Sequence, residues 1–269
     1  MSKSALPDFE KPPLNEVAIG FQFEPLEKMH CAQMALFWSR IRNRYPQTED
    51  QPPILHILER PTPALEEKQD NIPIEQIYPR CWFLGETGLE LIQLQRDRFL
   101  RNWRQLATKV TYPRFQTLLD KFKVEWHEFA AFLDKEQLGQ PRIDQCELTY
   151  INYIERGSGW EDLCSALDEV IAVWSPRPKS FLPDPETVFW QAQYALPNGR
   201  GRLRAQMKPA FQRKQLKPIL ILDLTARGAP ENATLGASLA WMALAHEWIV
   251  RGFAELTTAK MHKLWGRKT

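Results

Sequence analysis

Apolar and polar residues alternate with period two over Glu16–Phe23. Val17, Ile19, Phe21 and Phe23 interleave with Glu16, Ala18, Gly20 and Gln22, the pattern of a strand buried on one face. The period then changes. Met34, Phe37, Trp38 and Ile41 recur at three- and four-residue spacing and predict a helix over about residues 28–44. Pro46, Pro52, Pro53, Pro61, Pro63, Pro73 and Pro79 follow, each removing a ladder donor and disfavouring helix before it. Residues 46–79 are therefore expected to be loop with at most one edge strand.

Strands are expected at Arg80–Leu84 and Leu89–Phe99, joined through Gly85 and Gly88 as a hairpin. Phe115, Leu118, Leu119, Phe122, Trp126, Phe129 and Leu133 form the aromatic stripe of a long helix. Its expected N-cap is Thr111, with Pro113 in the first turn and an end at Gly139 and Pro141. Beyond it come a strand at Cys146–Ile154, a short helix near Trp160–Val173 and a connector holding Pro176, Pro178, Pro183 and Pro185. Val188–Leu196, Gly201–Lys208 and Ile219–Arg227 read as strands, the first two joined at Pro197-Asn198-Gly199. A long helix over about residues 233–256 and a short one from Thr257 complete the chain.

Short turns between successive strands imply antiparallel pairing. The expected class is α+β, a mixed, mostly antiparallel sheet with helices packed on one face, and the first six elements suggest a split βαβ arrangement. A single domain over residues 1–269 is expected, with a possible subdivision near 175–187 at the proline-rich connector. No internal sequence repeat stands out.

Composition adds little to this picture. Apolar residues make up 43% and charged residues 25%, ordinary for a globular chain, and the net charge of +2 marks neither a nucleic-acid nor a membrane binder. Cys31, Cys81, Cys146 and Cys164 are too scattered for a zinc site or a disulfide framework and are expected to be reduced, mostly buried thiols. The first residues lack the apolar core of a signal peptide, and no run is long enough to span a membrane, so a cytoplasmic location is expected. No nucleophile elbow, phosphate-cradling glycine loop or metal motif occurs, so no catalytic residue, metal ligand or cofactor is assigned.

Charge is unevenly placed, however. Between Glu186 and Asp223 there is no acidic residue, while Arg200, Arg202, Arg204, Lys208, Arg213, Lys214 and Lys217 all fall there. Arg202, Arg204, Gln206 and Lys208 alternate with Leu203, Ala205 and Met207, so the cations share the face away from the helices. Gln93 and Gln95 alternate with Ile92 and Leu94, and Arg96, Arg98, Arg101 and Arg104 follow. Gln191 and Gln193 alternate with Trp190, Ala192 and Tyr194, and Arg227 shares a side with Asp223 and Thr225.

These positions predict a solvent-facing surface with Gln93, Gln95, Arg96, Arg98, Gln191, Gln193, Arg202, Arg204 and Arg227 as candidate binding residues. Amides and guanidinium groups make several hydrogen bonds each and suit phosphates, bases or acidic peptides. An antiparallel sheet that merely wets one side gives the same pattern. The leading expectation is a non-enzymatic binding protein with an acidic protein partner. The alternative is a nucleic-acid or nucleotide binder, although aromatic residues for base stacking are missing from that face. A third reading is an enzyme using His246 and Glu247 of the last long helix in a cleft, although His246 lies on the apolar stripe of Leu239, Met242, Ile249 and Phe253.

Finally, Pro12-Pro13 with Glu16-Val17, Phe23-Glu24-Pro25-Leu26, Gln93-Leu94-Gln95, Arg98-Phe99 and Asn102-Trp103-Arg104 form a recognisable set. Tyr112-Pro113, Glu147-Leu148-Thr149-Tyr150, Leu224-Thr225-Ala226-Arg227-Gly228, His246-Glu247 and Trp265-Gly266-Arg267 extend it. In these the chain resembles, over nearly its whole length, a sporadically distributed uncharacterised bacterial protein family. The patchy distribution implies an accessory gene, of the kind found in defence or toxin–antitoxin loci.

Overall fold

Among the described residues one antiparallel sheet of nine strands carries the molecule. The strands are β1 (Leu14–Phe23), β2 (Gln47–Gln51), β3 (Arg80–Leu84), β4 (Glu90–Gln95), β5 (Arg98–Arg104), β6 (Ile143–Glu155), β7 (Trp190–Ala195), β8 (Arg202–Gln212) and β9 (Lys217–Gly228). They lie in the order β2-β3-β4-β5-β1-β6-β9-β8-β7, with every neighbouring pair antiparallel. The helices are α1 (Cys31–Ile41), α2 (Phe115–Lys135), α3 (Leu167–Val170), α4 (Leu235–Leu256) and α5 (Ala259–Leu264). The computed structural model describes residues 5–56, 58, 59, 79–106, 110–157, 160, 167–175, 181–183, 185–212 and 217–269. Cys164 and the rest of residues 161–166 of the helix expected near Trp160–Val173 lie outside the described residues, as do Pro61, Pro63, Pro73, Pro176, Pro178, Arg213 and Lys214.

The class is α+β, with the long helices on one face. On that face α2 packs against β1 and β5, and α4 against β6, β8 and β9. Phe37 of α1 meets Phe83, Phe99, Phe129 and Phe132, and Phe99 stacks on Phe129 at 5.0 Å. Rings offset or edge-on at these separations add to the burial of their area. The order β4-β5-β1-β6, with α1 after β1 and α2 after β5, is the split βαβ arrangement. With the edge strand β2 set aside, the connectivity then recurs: β1-α1-β3-β4-β5-α2 is matched by β6-α3-β7-β8-β9-α4, with sheet orders β3-β4-β5-β1 and β7-β8-β9-β6. The central strands β1 and β6 run antiparallel, so the two halves face each other about the middle of the sheet.

Two local readings need correction. The strand expected at Leu89–Phe99 is two strands separated by the turn Arg96-Asp97, across which Gln95 and Arg98 are cross-strand partners. A continuous strand would have put Arg98 on the face opposite Gln95; the two-residue turn restores it to the same face. Thr111 is not the N-cap of the aromatic helix. That helix begins at Phe115 after Arg114, whose backbone is left-handed at φ 72° and whose guanidinium holds Asp8 Oδ1 at 2.7 Å and the Phe9 carbonyl at 3.3 Å. Those contacts hold the strained residue in place.

The apolar side contains one ionic cluster. Arg101, 1% exposed, pairs with Glu125 of α2 and with Glu90, each at 2.9 Å, and Tyr45 donates to Glu125. Removing one partner of such a pair strands a buried charge. Glu125→Ala is expected to cost about 3–5 kcal/mol of unfolding free energy in urea. The neighbouring exposed Val124→Ala should change it by less than about 0.5 kcal/mol.

Candidate functional site

Cross-strand register brings most of the predicted residues together on the side away from the helices. Gln95 faces Arg98, Arg98 faces Gln22, and Gln22 faces Gln145 across β4, β5, β1 and β6. Glu147 faces Arg227, Arg227 faces Arg202, and Arg204 faces Gln193 across β6, β9, β8 and β7. Gln191 faces Gln206 on the same edge, and both are exposed. Arg96 is the exception. It stands in the β4–β5 turn, with its carbonyl accepting from the Leu26 amide, and lies on neither strand face.

Several members of this layer were not singled out by the sequence. Glu147 accepts from Arg98 at 3.2 Å and from Arg227 at 2.7 Å. Burial works to raise its carboxyl pKa, and the two guanidinium groups outweigh that and hold it below the ordinary value. Gln93 donates to Asn102 at 2.8 Å and accepts from Arg80 at 2.7 Å and Trp82 at 3.0 Å; Asn102 in turn donates to Glu16. Thr149 and Thr225 share a hydrogen bond, and Thr225 donates to Asp223 at 2.8 Å. Gln22, Gln145, Glu147 and Thr149 obey the same alternation that marked the others, so that signal was sufficient to find them.

The expectation of a bare, solvent-facing surface is corrected. Arg98, Gln95, Gln93 and Arg202 are 3%, 4%, 6% and 8% exposed. The described residues of the chain's own 52–59 segment, 52–56, 58 and 59, run across them. Pro52 accepts from Arg80 at 2.9 Å. Ile54 gives its amide to Gln95 at 2.9 Å and takes the Gln95 amide on its carbonyl at 2.8 Å. The Leu55 carbonyl accepts from Arg98 at 3.0 Å, and His56 meets Asp97 at 2.7 Å. Beyond these, the Glu59 amide donates to Gln145 at 2.8 Å. Its carboxylate lies between Arg202 at 2.9 Å and Arg204 at 2.6 Å. Prolines bar Pro52 and Pro53 from a ladder, so side chains of the sheet satisfy this backbone instead.

The opposite face holds a second feature. A cavity of about 590 Å³ opens where the two halves meet, between Phe115 at the start of α2 and His246 and Val250 of α4. Leu14, Tyr150, Asn152 and Leu224 form its sheet side, and residues 6–9 close one wall. That wall is tied down by the C-terminal segment, where Lys268 donates to the Asp8 carbonyl at 2.8 Å and Glu10 to that of Gly266 at 3.1 Å. Trp265 is buried there against Phe9 and Phe253.

His246 does not pair with Glu247, which takes Arg251 at 3.0 Å instead. Its Nδ1 meets the Tyr150 hydroxyl at 3.1 Å, Tyr150 meets Tyr112 at 2.9 Å, and the Phe115 ring stacks on the imidazole at 4.0 Å. Burial lowers the His246 pKa to about 4, so the ring is a neutral hydrogen-bonding group near pH 7 and a poor general base. His262, the other histidine of the C-terminal region, is bonded to Thr257 at 2.9 Å and Arg267 at 3.0 Å. Among the described residues no three His, Cys, Asp or Glu side chains gather as metal ligands, and no helix is long and apolar enough to cross a membrane. Cys146 is buried, Cys81 half-buried and Cys31 exposed, all unpaired to one another.

The neutral imidazole sets a pH dependence. The unfolded chain takes a proton on His246 near its ordinary 6.5, while the folded chain resists until about 4. The unfolded state therefore binds more protons between those values, and stability falls as pH drops through that window. His246→Gln is expected to remove about 2–3 kcal/mol of the stability lost between pH 7 and pH 4.5, measured by guanidinium unfolding at both. Compared with protein-family models, with curated proteins and with solved structures, the chain finds no match.

Proposed function

We propose that this chain is a non-enzymatic binding protein whose Gln/Arg sheet face holds an extended, acidic segment of a partner protein. The observation that carries the reading is the chain's own residues 52–59, held in that manner. Gln95 reads both the amide and the carbonyl of Ile54, and two arginines clamp the Glu59 carboxylate. Backbone read by a side-chain amide gives affinity for any extended chain, and the paired guanidinium groups give preference for an acidic residue. Charge on the face favours the same partner. Arg98, Arg202, Arg204 and Arg227 gather about Glu147 and Asp223 on this face, and burial raises the carboxyl groups of Asp223 and Glu16 toward their neutral forms. In this reading a partner segment takes the place of residues 52–59, and the in-chain segment sets the threshold for exchange. The accessory role in a defence or toxin–antitoxin locus, implied by the family resemblance, belongs to the same proposal.

A fluorescein-labelled peptide with the sequence of residues 52–59 is the probe. In fluorescence polarisation it is expected to bind Glu59→Gln about tenfold more tightly than the unaltered chain, because the competing carboxylate is gone. Arg202→Glu with Arg204→Glu should abolish binding while the far-ultraviolet circular dichroism is kept. A peptide ending in Lys instead of Glu should bind neither protein. Equal affinity for Glu59→Gln and the unaltered chain contradicts the reading. Steeply salt-dependent binding of generic RNA to Glu59→Gln, with none of the peptide, replaces it with the nucleic-acid alternative.

A further inference from the structure

The seam cavity on the helix side uses none of the Gln/Arg face, and its walls specify a different kind of ligand. Its cations are matched in place: Arg114 by Asp8 at 2.7 Å and Arg251 by Glu247 at 3.0 Å. The remaining lining is mostly apolar, with Phe9, Leu14, Phe115, Leu224, Ile249 and Phe253 prominent. Asn152 donates to the Leu222 carbonyl at 3.1 Å and Gln116 to Asp120 at 3.0 Å, and against this background stands one linked polar chain, Tyr112 to Tyr150 to His246. We infer that the cavity is a binding site for an uncharged, mainly apolar small molecule that carries one hydroxyl group, received by the Tyr112–Tyr150–His246 chain.

The hydrogens of that chain explain the hydroxyl. Among the described residues Tyr150 is the hydrogen-bond partner of both Tyr112 and His246. If Tyr150 donates to Nδ1, then Tyr112 donates to Tyr150, Nε2 carries the ring proton, and the Tyr112 oxygen is left as an acceptor. Turning every hydrogen round makes Nδ1 the donor, Nε2 an acceptor and the Tyr112 hydroxyl a donor. In both arrangements one end of the chain donates while the other accepts, without any change of charge. A hydroxyl both donates and accepts, so it satisfies either arrangement. A carboxylate only accepts and would also enter a cavity without an uncompensated cation. A volume of about 590 Å³ is within the ordinary range for small-molecule sites.

The probes are 2-naphthol, naphthalene and 2-naphthoate, titrated into the full chain and followed by ligand-observed NMR. The expected order is 2-naphthol tightest by about tenfold, the value of a hydrogen-bonded end in a buried site. Tyr150→Phe should bring 2-naphthol down to the affinity of naphthalene and leave naphthalene unchanged. Val250→Trp, which adds a ring to the cavity wall, should exclude both. Tighter binding of 2-naphthoate, undiminished preference for 2-naphthol in Tyr150→Phe, or binding of none of the three overturns the assignment. Should Tyr150→Phe not fold, the His246 ring nitrogen resonances of the unaltered chain decide. They shift with 2-naphthol and stay with naphthalene if the site is as assigned, and their indifference to 2-naphthol refutes it.

Discussion

The Glu147 carboxylate sits between two guanidinium groups that come from opposite halves of the sheet, Arg98 on β5 and Arg227 on β9. Arg98 and Glu147 are buried and Arg227 is partly exposed, and a buried charge without its counterpart is strongly destabilising. The pairing therefore fixes the distance across β5, β1, β6 and β9 on the side that, among the described residues, no helix covers. Nη1 of Arg98 donates to Glu147, and its Nη2 donates both to Gln22 and to the Leu55 carbonyl. Arg227 stands beside Arg202 in register, and Arg202 reaches Glu59. The placement of residues 52–59 thus follows from the ionic layer beneath them.

The two faces of the sheet solve opposite problems. Toward α1, α2 and α4 the strands present rings and aliphatic groups, and the cost of ordering them is met by burial of that area. Away from the helices the strands present groups that must be hydrogen-bonded if they are to be covered at all. Residues 52–59 supply backbone and a carboxylate rather than apolar area, which suits such a surface. The recurring β-α-β-β-β-α connectivity adds a second consequence. Over the central strands, between the start of α2 and α4, the apolar layer leaves the cavity lined by Phe115 and His246.

Much of the frame was legible in the sequence because strand alternation is a local property. It identified the α+β class, the helix face and the outward side of Gln93, Gln95, Arg202, Arg204 and Arg227, while Arg98 joined them only through the turn that precedes it. Four things were not legible, each for a physical reason. The Arg96-Asp97 turn has no Gly, Pro or Asn, and Asp97 is held by Gln95 and His56, the second of which is distant in sequence. Residues 52–59 have no period because their partners are side chains of the sheet, not a neighbouring strand. Tyr150 occupies an inward position of β6 and reads as core; only the fold brings Tyr112 and His246 to its hydroxyl. The repeated connectivity is hidden too, since it needs only the order of apolar patterns and no repeated residues.

Amide hydrogen exchange at Ile54 and Glu59 tests the central claim, that residues 52–59 are held as a bound chain on the Gln/Arg face. Both amides donate to side chains of the sheet, to Gln95 at 2.9 Å and to Gln145 at 2.8 Å. Both are therefore expected to exchange far more slowly than in an unstructured peptide, and Gln95→Ala should release Ile54 while Glu59 stays protected. Exchange of both amides at the unstructured rate in the unaltered chain would contradict it.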